Sequence, residues 1–376
     1  MANPNSIVSR SIRIPDAGRR PEGRMVTAEG LEVELDDGRR IRLDPQNERS
    51  EGFARVLAGL AELKHPVYVE LDPKSDSVSR ILVPKVGHVI ALREVEGGLE
   101  IQLDRSHARY LLQQERNDFA EMSATLREAE ARGQPVILTP DDAQGVEDVR
   151  FFRKPGPDDG PVPDFPPWPE TELGWLDRIR WWPIWPWNWW LYRCVSSKRA
   201  QEIFDAMSAT TCNPVAVAPP CIPFMFPDDG CWARAHEMRR LMNNMGVYPR
   251  KVWIHGWLHT PTRNNPNCFV NWGWHVAPTI CVRWPWRWWH IFWWWSGVRM
   301  VIDPSLFTTP VTKAQWKSVQ GDPNATLNET TGAIYHWYNN QTDPNYVDTN
   351  YYLAVYRLEL QNRVNLVGAP PYANCP

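Results

Sequence analysis

A single cysteine occupies a position where a nucleophile would be activated. Cys231 follows Asp228, Asp229 and Gly230, and the residues after it have helical spacing up to Gly246. Asp228 and Asp229 are good helix N-cap residues, so we expect Cys231 in the first turn of a helix. The positive end of the helix dipole lowers the pKa of a cysteine there and favours the reactive thiolate. The alternative is a small buried side chain near a helix start.

A nucleophilic cysteine also needs a base and a group that orients this base. His275 lies in the alternating strand pattern WGWHVAP, and Asp303 ends the run MVID just before Pro304. If these two strands pair as a hairpin, the Asp303 carboxylate can hold a neutral His275 ring through its Nδ1–H. A histidine in a strand is more often a satisfied core residue, which stays the alternative.

Three other histidines fit the role of base less well. His236 lies five residues after Cys231, so it points about 140° away around the helix. His255 and His259 have the spacing of a metal pair on a helix, but their neighbours predict a strand and a loop. We therefore expect no metal site from this pair.

The elements around these residues predict an α+β fold for the second half of the chain. The segment SSKRAQEIFDAMSA predicts a helix before Cys231, and three strand-like runs follow Gly246: RKVWIHGWL, NCFVNWGWHVAPTICVRW and GVRMVIDPSLF. A last strand is predicted in NYYLAVYRLEL. A helix followed by an antiparallel sheet is an α+β arrangement.

The chain divides into three predicted parts. Residues 1–152 form an N-terminal α+β domain with an internal repeat, about 30–84 and 98–152, in which each unit predicts a strand, an amphipathic helix and a strand. Residues 153–169 are a proline-rich linker. Residues 170–376 form the domain with the candidate nucleophile. The first part is interpreted as a pro-region or a partner-binding module.

Composition limits the class of partner and the compartment. The 376 residues carry a net charge of −3, which gives no attraction to nucleic acid. No signal peptide or transmembrane segment is visible, which predicts a cytoplasmic protein or one exported without a leader. The six other cysteines, all in the second half, fit either disulfides or free buried thiols. The oligomeric state stays open.

Two tryptophan-rich segments hold 13 of the 22 tryptophans: WWPIWPWNWW (Trp181–Trp190) and WPWRWWHIFWWW (Trp284–Trp295). Their prolines prevent regular helices. We interpret them as mutual packing plus a surface that faces a protein partner. Contact with a membrane interface is the weaker alternative.

In order along the chain, CIPFMFPDDGCWARAHEM, WGWHVAP, VIDPSLFTTPVTKAQW and YVDTNYY resemble the bacterial protein-glutaminases. The resemblance covers about residues 211–360. It implies a papain- or transglutaminase-like fold and a catalytic triad, carried here onto Cys231, His275 and Asp303. It also implies a secreted enzyme that needs no metal and no organic cofactor.

The resemblance implies deamidation of glutamine side chains in proteins and peptides through a thioester on Cys231, with release of ammonia. The alternatives are a transglutaminase or cysteine protease of the same superfamily. A further alternative is a tryptophan-rich target-binding or effector protein whose triad is vestigial.

Overall fold

A computed structural model describes residues 6–14, 25–152, 194–283 and 297–376. The predicted linker and both tryptophan-rich segments lie outside the described residues. The protein contains both α-helices and β-sheets, which agrees with the α+β prediction at the level of fold class. In the described ranges every pairing between strands within a sheet is antiparallel.

Six α-helices occur in the described ranges. They are α1 (Ser50–Glu62), α2 (Phe119–Arg132), α3 (Ser197–Ser208), α4 (Cys231–Asn244), α5 (Lys313–Ser318) and α6 (Val347–Val367). The strands of the N-terminal half are β1 (Ser6–Ser9), β2 (Ile12–Arg13), β3 (Leu31–Leu35), β4 (Arg40–Leu43), β5 (Val67–Leu71), β6 (Val78–Leu82), β7 (Lys85–Val95), β8 (Gly98–Leu103), β9 (Arg109–Gln113), β10 (Pro135–Pro140) and β11 (Val146–Phe151). Those of the C-terminal half are β12 (Arg250–Pro261), β13 (Phe269–Arg283), β14 (Gly297–Val301), β15 (Val311–Thr312), β16 (Thr326–Thr331), β17 (Ile334–His336) and β18 (Gln341–Thr342).

The two repeat units contain the same order of elements. The first is β3–β4–α1–β5–β6 and the second is β8–β9–α2–β10–β11. Each unit therefore has two strands on either side of its helix, where the sequence predicted one. Phe53 and Leu57 anchor α1 in the first core, and Leu126 anchors α2 in the second. The long strand β7 joins the units and pairs with β8 and β10.

The second half is built on a five-stranded sheet in the order β15-β14-β13-β12-β16. The predicted helix before Cys231 is confirmed as α3, which Ser196 caps through its side chain, and the three strand-like runs are confirmed as β12, β13 and β14. Helix α4 packs on β13 in a core that includes Trp274 and Val276. A second core between this sheet and α5 includes Val301 and Trp316.

The strand predicted in NYYLAVYRLEL is wrong, because these residues belong to α6. Buried positions recur at Thr349, Leu353, Tyr356, Leu360 and Arg363, a spacing of three to four residues. The helix is also buried on a second side, where Val355 joins the core of the first repeat unit. Burial on two sides removes the amphipathic contrast that identifies a helix in a sequence.

The structure pairs six cysteines and leaves one free. The disulfides are Cys194–Cys281, Cys212–Cys221 and Cys268–Cys375. All seven cysteines of the chain are in described ranges, so Cys231 is its single free thiol. Among the helices of the described ranges, none is both long and apolar enough to cross a membrane.

Candidate active site

Cys231 is the first residue of α4, as predicted, but the aspartates before it do not cap the helix. The N-cap is Gly230, with a φ of +81°. A Cβ atom at Gly230 would come within 2.2 Å of the Tyr356 ring, so glycine is required there for both reasons. Asp228 instead pairs with Arg363 of α6, and Asp229 accepts hydrogen bonds from residues of the second repeat unit.

His275 and Asp303 meet where the sheet places them. Strands β13 and β14 pair antiparallel, and Asp303 follows β14. The Asp303 carboxylate lies 2.9 Å from His275 Nε2 and also accepts a hydrogen bond from Trp316 Nε1 at 2.8 Å. The expectation that Asp303 holds Nδ1 is wrong. Nε2 faces the carboxylate instead, and Nδ1 is not bonded to it.

Burial by itself raises the pKa of Asp303, but its partners outweigh this effect. The charge and hydrogen bond of His275, together with the donors of Ser305 and Trp316, hold the pKa below its ordinary value. Asp303 is therefore an anion at neutral pH, and its carboxylate can accept a hydrogen bond from an Nε2–H of His275.

The structure brings the three predicted residues into one buried site. Cys231 and His275 are each 1% exposed and Asp303 is 3% exposed. The Cys231 sulfur and a ring nitrogen of His275 lie within 4.8 Å of each other, and a ring nitrogen of His107 is within the same distance of both. The ring edge of His275 that carries Nδ1 has no hydrogen-bond partner among the described residues.

The expected low-pKa thiolate is wrong for this arrangement. Burial raises the pKa of Cys231 well above its ordinary value, and the charges of Asp229 and Asp303 raise it further. Arg234 and a hydrogen bond from the Val276 backbone N–H oppose this effect without cancelling it. The thiol is protonated at neutral pH because the site is shut off from water, which disfavours the charged form.

The site is shut off by the turn between β8 and β9, Asp104–Ala108, which we call the covering turn. His107 is fully buried, and its ring stacks on Trp272 at 5.0 Å and on His275 at 5.7 Å between ring centroids. Ala108 forms an antiparallel bridge with Trp272, and the backbone N–H of Gly273 donates to the His107 carbonyl at 2.8 Å. The turn thus runs as a short extra strand along β13 beyond the end of β14.

The Asp229 carboxylate anchors the covering turn through hydrogen bonds. Its carboxylate accepts hydrogen bonds from Ser106 Oγ at 2.8 Å and from the His107 backbone N–H at 3.2 Å. Lys85 of β7 lies 3.9 Å from the same carboxylate and pairs with Glu359 of α6. Burial raises the pKa of Asp229, and the Lys85 charge and the hydrogen bonds from Ser106, Gly230 and His107 partly offset this.

The other histidines considered from the sequence take no part in the site. His236 is buried, with Nε2 on the Asp343 carbonyl and Nδ1 3.0 Å from Lys251 Nζ, so it packs as expected. His255 meets Trp337 edge-on, and His259 Nδ1–H donates a hydrogen bond to Asn271 Oδ1. His107 was missed because it lies in the other half of the chain. The available signal was its turn: Ser-His-Ala replaces the polar Asp-Gly of the first repeat unit.

Comparison with known proteins bears on the central part of this site. Residues 200–320, which include Cys231, His275 and Asp303, match the family model Gln_deamidase_2, described as glutaminase. The resemblance to the glutaminase family is confirmed. The match supports an enzyme, a hydrolase of the glutaminase type. A search of curated proteins gives no match.

Solved structures of the same kind are also similar to this chain. A crystal structure of pro-protein-glutaminase is 21% identical over 78% of this chain and 99% of its own, with a TM-score of 0.49. A crystal structure of protein-glutaminase is 25% identical over 48% of this chain and 96% of its own, with a TM-score of 0.36. An NMR structure of protein-glutaminase from Chryseobacterium proteolyticum is 25% identical over 49% and 94%, with a TM-score of 0.37.

Proposed function

We propose that this glutaminase-type enzyme deamidates glutamine side chains within proteins and peptides, with Cys231, His275 and Asp303 as its catalytic residues in a papain- or transglutaminase-like arrangement. The observation that carries the proposal is the sequence of three groups: the Cys231 thiol at a helix start, a His275 ring nitrogen within 4.8 Å of it, and the Asp303 carboxylate 2.9 Å from His275 Nε2. A nucleophile, a base and a group that orients the base need this order.

The reaction proceeds in two halves. His275 takes the proton of the Cys231 thiol, and the resulting thiolate attacks the side-chain carboxamide carbon; the His275 imidazolium then protonates the amide nitrogen, which leaves as ammonia. A thioester between the substrate acyl group and the Cys231 sulfur remains. His275 then takes a proton from water, the hydroxide attacks the thioester, and the products are a glutamate side chain and the regenerated thiol. The backbone N–H of Cys231 is the proposed oxyanion donor.

The covering turn that occupies the site favours a polypeptide substrate over free glutamine. The covering turn lies along β13 through backbone contacts, with Ala108 paired to Trp272 and Gly273 donating to the His107 carbonyl. The side chain of His107 points to the thiol from this extended backbone. A substrate chain that paired with the same stretch of β13 would present a glutamine side chain to Cys231 in the same way.

The covering turn also supports an inhibitory role for the N-terminal repeat domain, residues 1–152. A chain in which this turn fills the site cannot admit a substrate until the turn moves. We propose that the domain is a pro-region, and that the segment 153–169 is the linker at which it is separated from the catalytic domain, residues 170–376.

The test is an assay on a chain with a specific protease site introduced within residues 153–169. Ammonia release and the amide-to-acid mass change are followed before and after cleavage, with a glutamine-containing protein, a blocked glutamine peptide and free glutamine. Ammonia from the protein and the peptide after cleavage, absent in the Cys231→Ala chain, supports the proposal. Cross-linked or cleaved products would indicate a transglutaminase or a protease, and ammonia that persists in the Cys231→Ala chain would contradict it.

A further inference from the structure

Three metal-binding side chains converge in the core of the covered site. His107, Cys231 and His275 each place one nitrogen or sulfur atom within 4.8 Å of the other two. The three residues are 0%, 1% and 1% exposed. They come from the covering turn, the start of α4 and the middle of β13, so the cluster exists only while the N-terminal repeat domain lies on the site.

Each histidine has one nitrogen on a supporting group and one nitrogen to spare. His107 Nδ1 lies 3.1 Å from the Trp274 carbonyl, and His275 Nε2 lies 2.9 Å from the Asp303 carboxylate. The remaining atoms, His107 Nε2 and His275 Nδ1, are buried without a hydrogen-bond partner among the described residues. Metal-binding histidines show this division, since a carbonyl or carboxylate on one nitrogen orients the other toward the ion.

The ligand types select the class of ion. One thiolate and two imidazoles suit Zn²⁺ and do not suit Mg²⁺ or Ca²⁺, which prefer oxygen. Tetrahedral zinc places its nitrogen and sulfur ligands about 3.3–3.6 Å apart. From a spacing of 4.8 Å or less, the three ligand atoms need to approach one another by at most about 1.2–1.5 Å to reach this.

A fourth group lies at the edge of the cluster. The Asp229 carboxylate is 3.7 Å from His107 Nε2 and almost fully buried. A thiolate and a carboxylate together balance the charge of a divalent ion, which a buried site requires. Without an ion, the same site holds two ring nitrogens with unmet hydrogen-bonding capacity, which is costly in a buried position.

We propose that His107, Cys231 and His275 bind a zinc-class divalent cation that joins the N-terminal repeat domain to the nucleophile. The cation takes the Cys231 sulfur as a thiolate, and the thiol proton goes to solvent. It thereby holds the covering turn closed and blocks the attack on a carboxamide. The binding is independent of the proposed deamidation, whereas the inhibition rests on it.

The test uses the full chain after treatment with a chelator, titrated with Zn²⁺ and with Co²⁺ as a spectroscopic probe. We expect one equivalent of Co²⁺ to produce the visible bands of a tetrahedral site and a sulfur-to-cobalt charge-transfer band. Since Cys231 is the single free thiol, this band reports on it alone. Zn²⁺ should displace Co²⁺ and raise the unfolding temperature.

His107→Ala is the decisive variant, because it removes the one ligand from the N-terminal half. We expect it to weaken Zn²⁺ binding at least about tenfold. His259→Ala, which removes an exposed imidazole elsewhere, is the matched control and should change affinity less than twofold. Cys231→Ser should abolish the charge-transfer band, and its far-UV circular dichroism checks that the variant is folded.

Two results would overturn the inference: no ion bound by the full chain, or an ion bound equally well by the His107→Ala and Cys231→Ser chains. The readouts need no substrate, so they separate this inference from the proposed function. A chain that binds Zn²⁺ as described but never releases ammonia contradicts the deamidase alone. A chain that deamidates but fails the titration contradicts the zinc site alone.

Discussion

Two equivalent turns of the repeat units have opposite surroundings. In the first unit, the turn Asp36–Arg39 joins β3 to β4, is exposed, and contains Gly38 with open space around it. In the second unit, the covering turn joins β8 to β9 and is buried, apart from the half-buried Arg105. We call the first the exposed turn. The flanking pairs, Glu34 with Arg40 and Gln102 with Arg109, show that the covering turn is one residue longer.

The difference shows how a duplicated unit can gain a new role without losing its fold. Both turns close an antiparallel pair of strands, and both begin with an aspartate, Asp36 or Asp104, that anchors the turn. In the exposed turn the residues after the aspartate are exposed to solvent. In the covering turn they reach the neighbouring sheet and pair with β13. The strands keep the fold, and the turn between them is free to change.

The largest effect is expected when Arg105–Ala108 of the covering turn is replaced with Asp-Gly-Arg, the residues that follow Asp36 in the exposed turn. The change removes the hydrogen bonds from Ser106 and from the His107 backbone to Asp229. Two bonds to a buried carboxylate are together worth about 3 kcal/mol or more. We expect alkylation of Cys231 under native conditions to accelerate at least about 100-fold.

The control for this exchange is the reverse one, in which Arg-Ser-His-Ala replaces the residues Asp37–Arg39 after Asp36. It should leave the alkylation rate of Cys231 unchanged, because the exposed turn is not part of the site. Equal acceleration of alkylation in both chains would mean that either exchange loosens the whole domain. The covering turn would then have no specific role in shielding Cys231.

Asp229→Asn tests the support beneath the covering turn. An amide can accept at only one of the two positions where the carboxylate accepts from Ser106, His107 and Gly230, and it offers no charge to Lys85. We expect the free energy of unfolding to fall by about 2–4 kcal/mol in urea titrations.

Asp36→Asn in the exposed turn is its matched control. Asp36 accepts from Ser9 Oγ and the Arg10 backbone near solvent, so its replacement should cost less than about 1 kcal/mol. Equal losses of unfolding free energy in the two variants would show that Asp229 and Asp36 contribute equally to stability. This result would contradict the difference between the covering turn and the exposed turn.

The third prediction concerns pH. Burial raises the pKa of Glu359 to about 7, although the charge and hydrogen bond of Lys85 lower it. The folded chain therefore holds this proton at pH values where the unfolded chain has lost it. Glu359 should therefore contribute a decline in the free energy of unfolding of as much as about 3 kcal/mol as the pH rises from about 4.5 to about 7, whereas the lowered pKa values of the buried His65 and His336 contribute a rise over part of this interval.

Urea titrations at pH 5 and pH 7.5 on the unchanged chain and on Glu359→Gln isolate this contribution as the difference between their two pH dependences. Between these pH values the stability of the variant should change more favourably than that of the unchanged chain, by about 2–3 kcal/mol. Glu32→Gln, on the exposed face of β3, should have the pH dependence of the unchanged chain. If Glu359→Gln also has the pH dependence of the unchanged chain, the assignment to Glu359 is wrong.

Local patterns of the sequence predicted the elements that carry the site. The helix start at Cys231 and the pairing of the His275 and Asp303 strands are confirmed, although the aspartates that predicted the helix start do not cap it. The same patterns failed for α6, because Val355 and Tyr356 pack against two different cores. Periodicity is informative only where one side of an element meets solvent.

The electrostatic state of the site could not be predicted locally. A helix start suggested a thiolate at Cys231, whereas burial beneath His107 raises its pKa. His107 lies more than a hundred residues away in the sequence, and only the fold brings it to the thiol. The difference between the turns of the two repeat units was visible in the sequence. The sequence did not show that the covering turn packs against β13 beside Cys231.

The most direct test of the account is deamidation of a glutamine-containing protein by three full chains, followed by mass spectrometry of the substrate. The chains are the unchanged one, the one with Asp-Gly-Arg in place of Arg105–Ala108, and the same exchange combined with Cys231→Ala. We predict that the exchange raises the rate of glutamate formation at least about tenfold over the unchanged chain, since it exposes the thiol. The combined variant should be inactive. A folded exchange variant whose Cys231 is readily alkylated but which forms no glutamate would contradict the account.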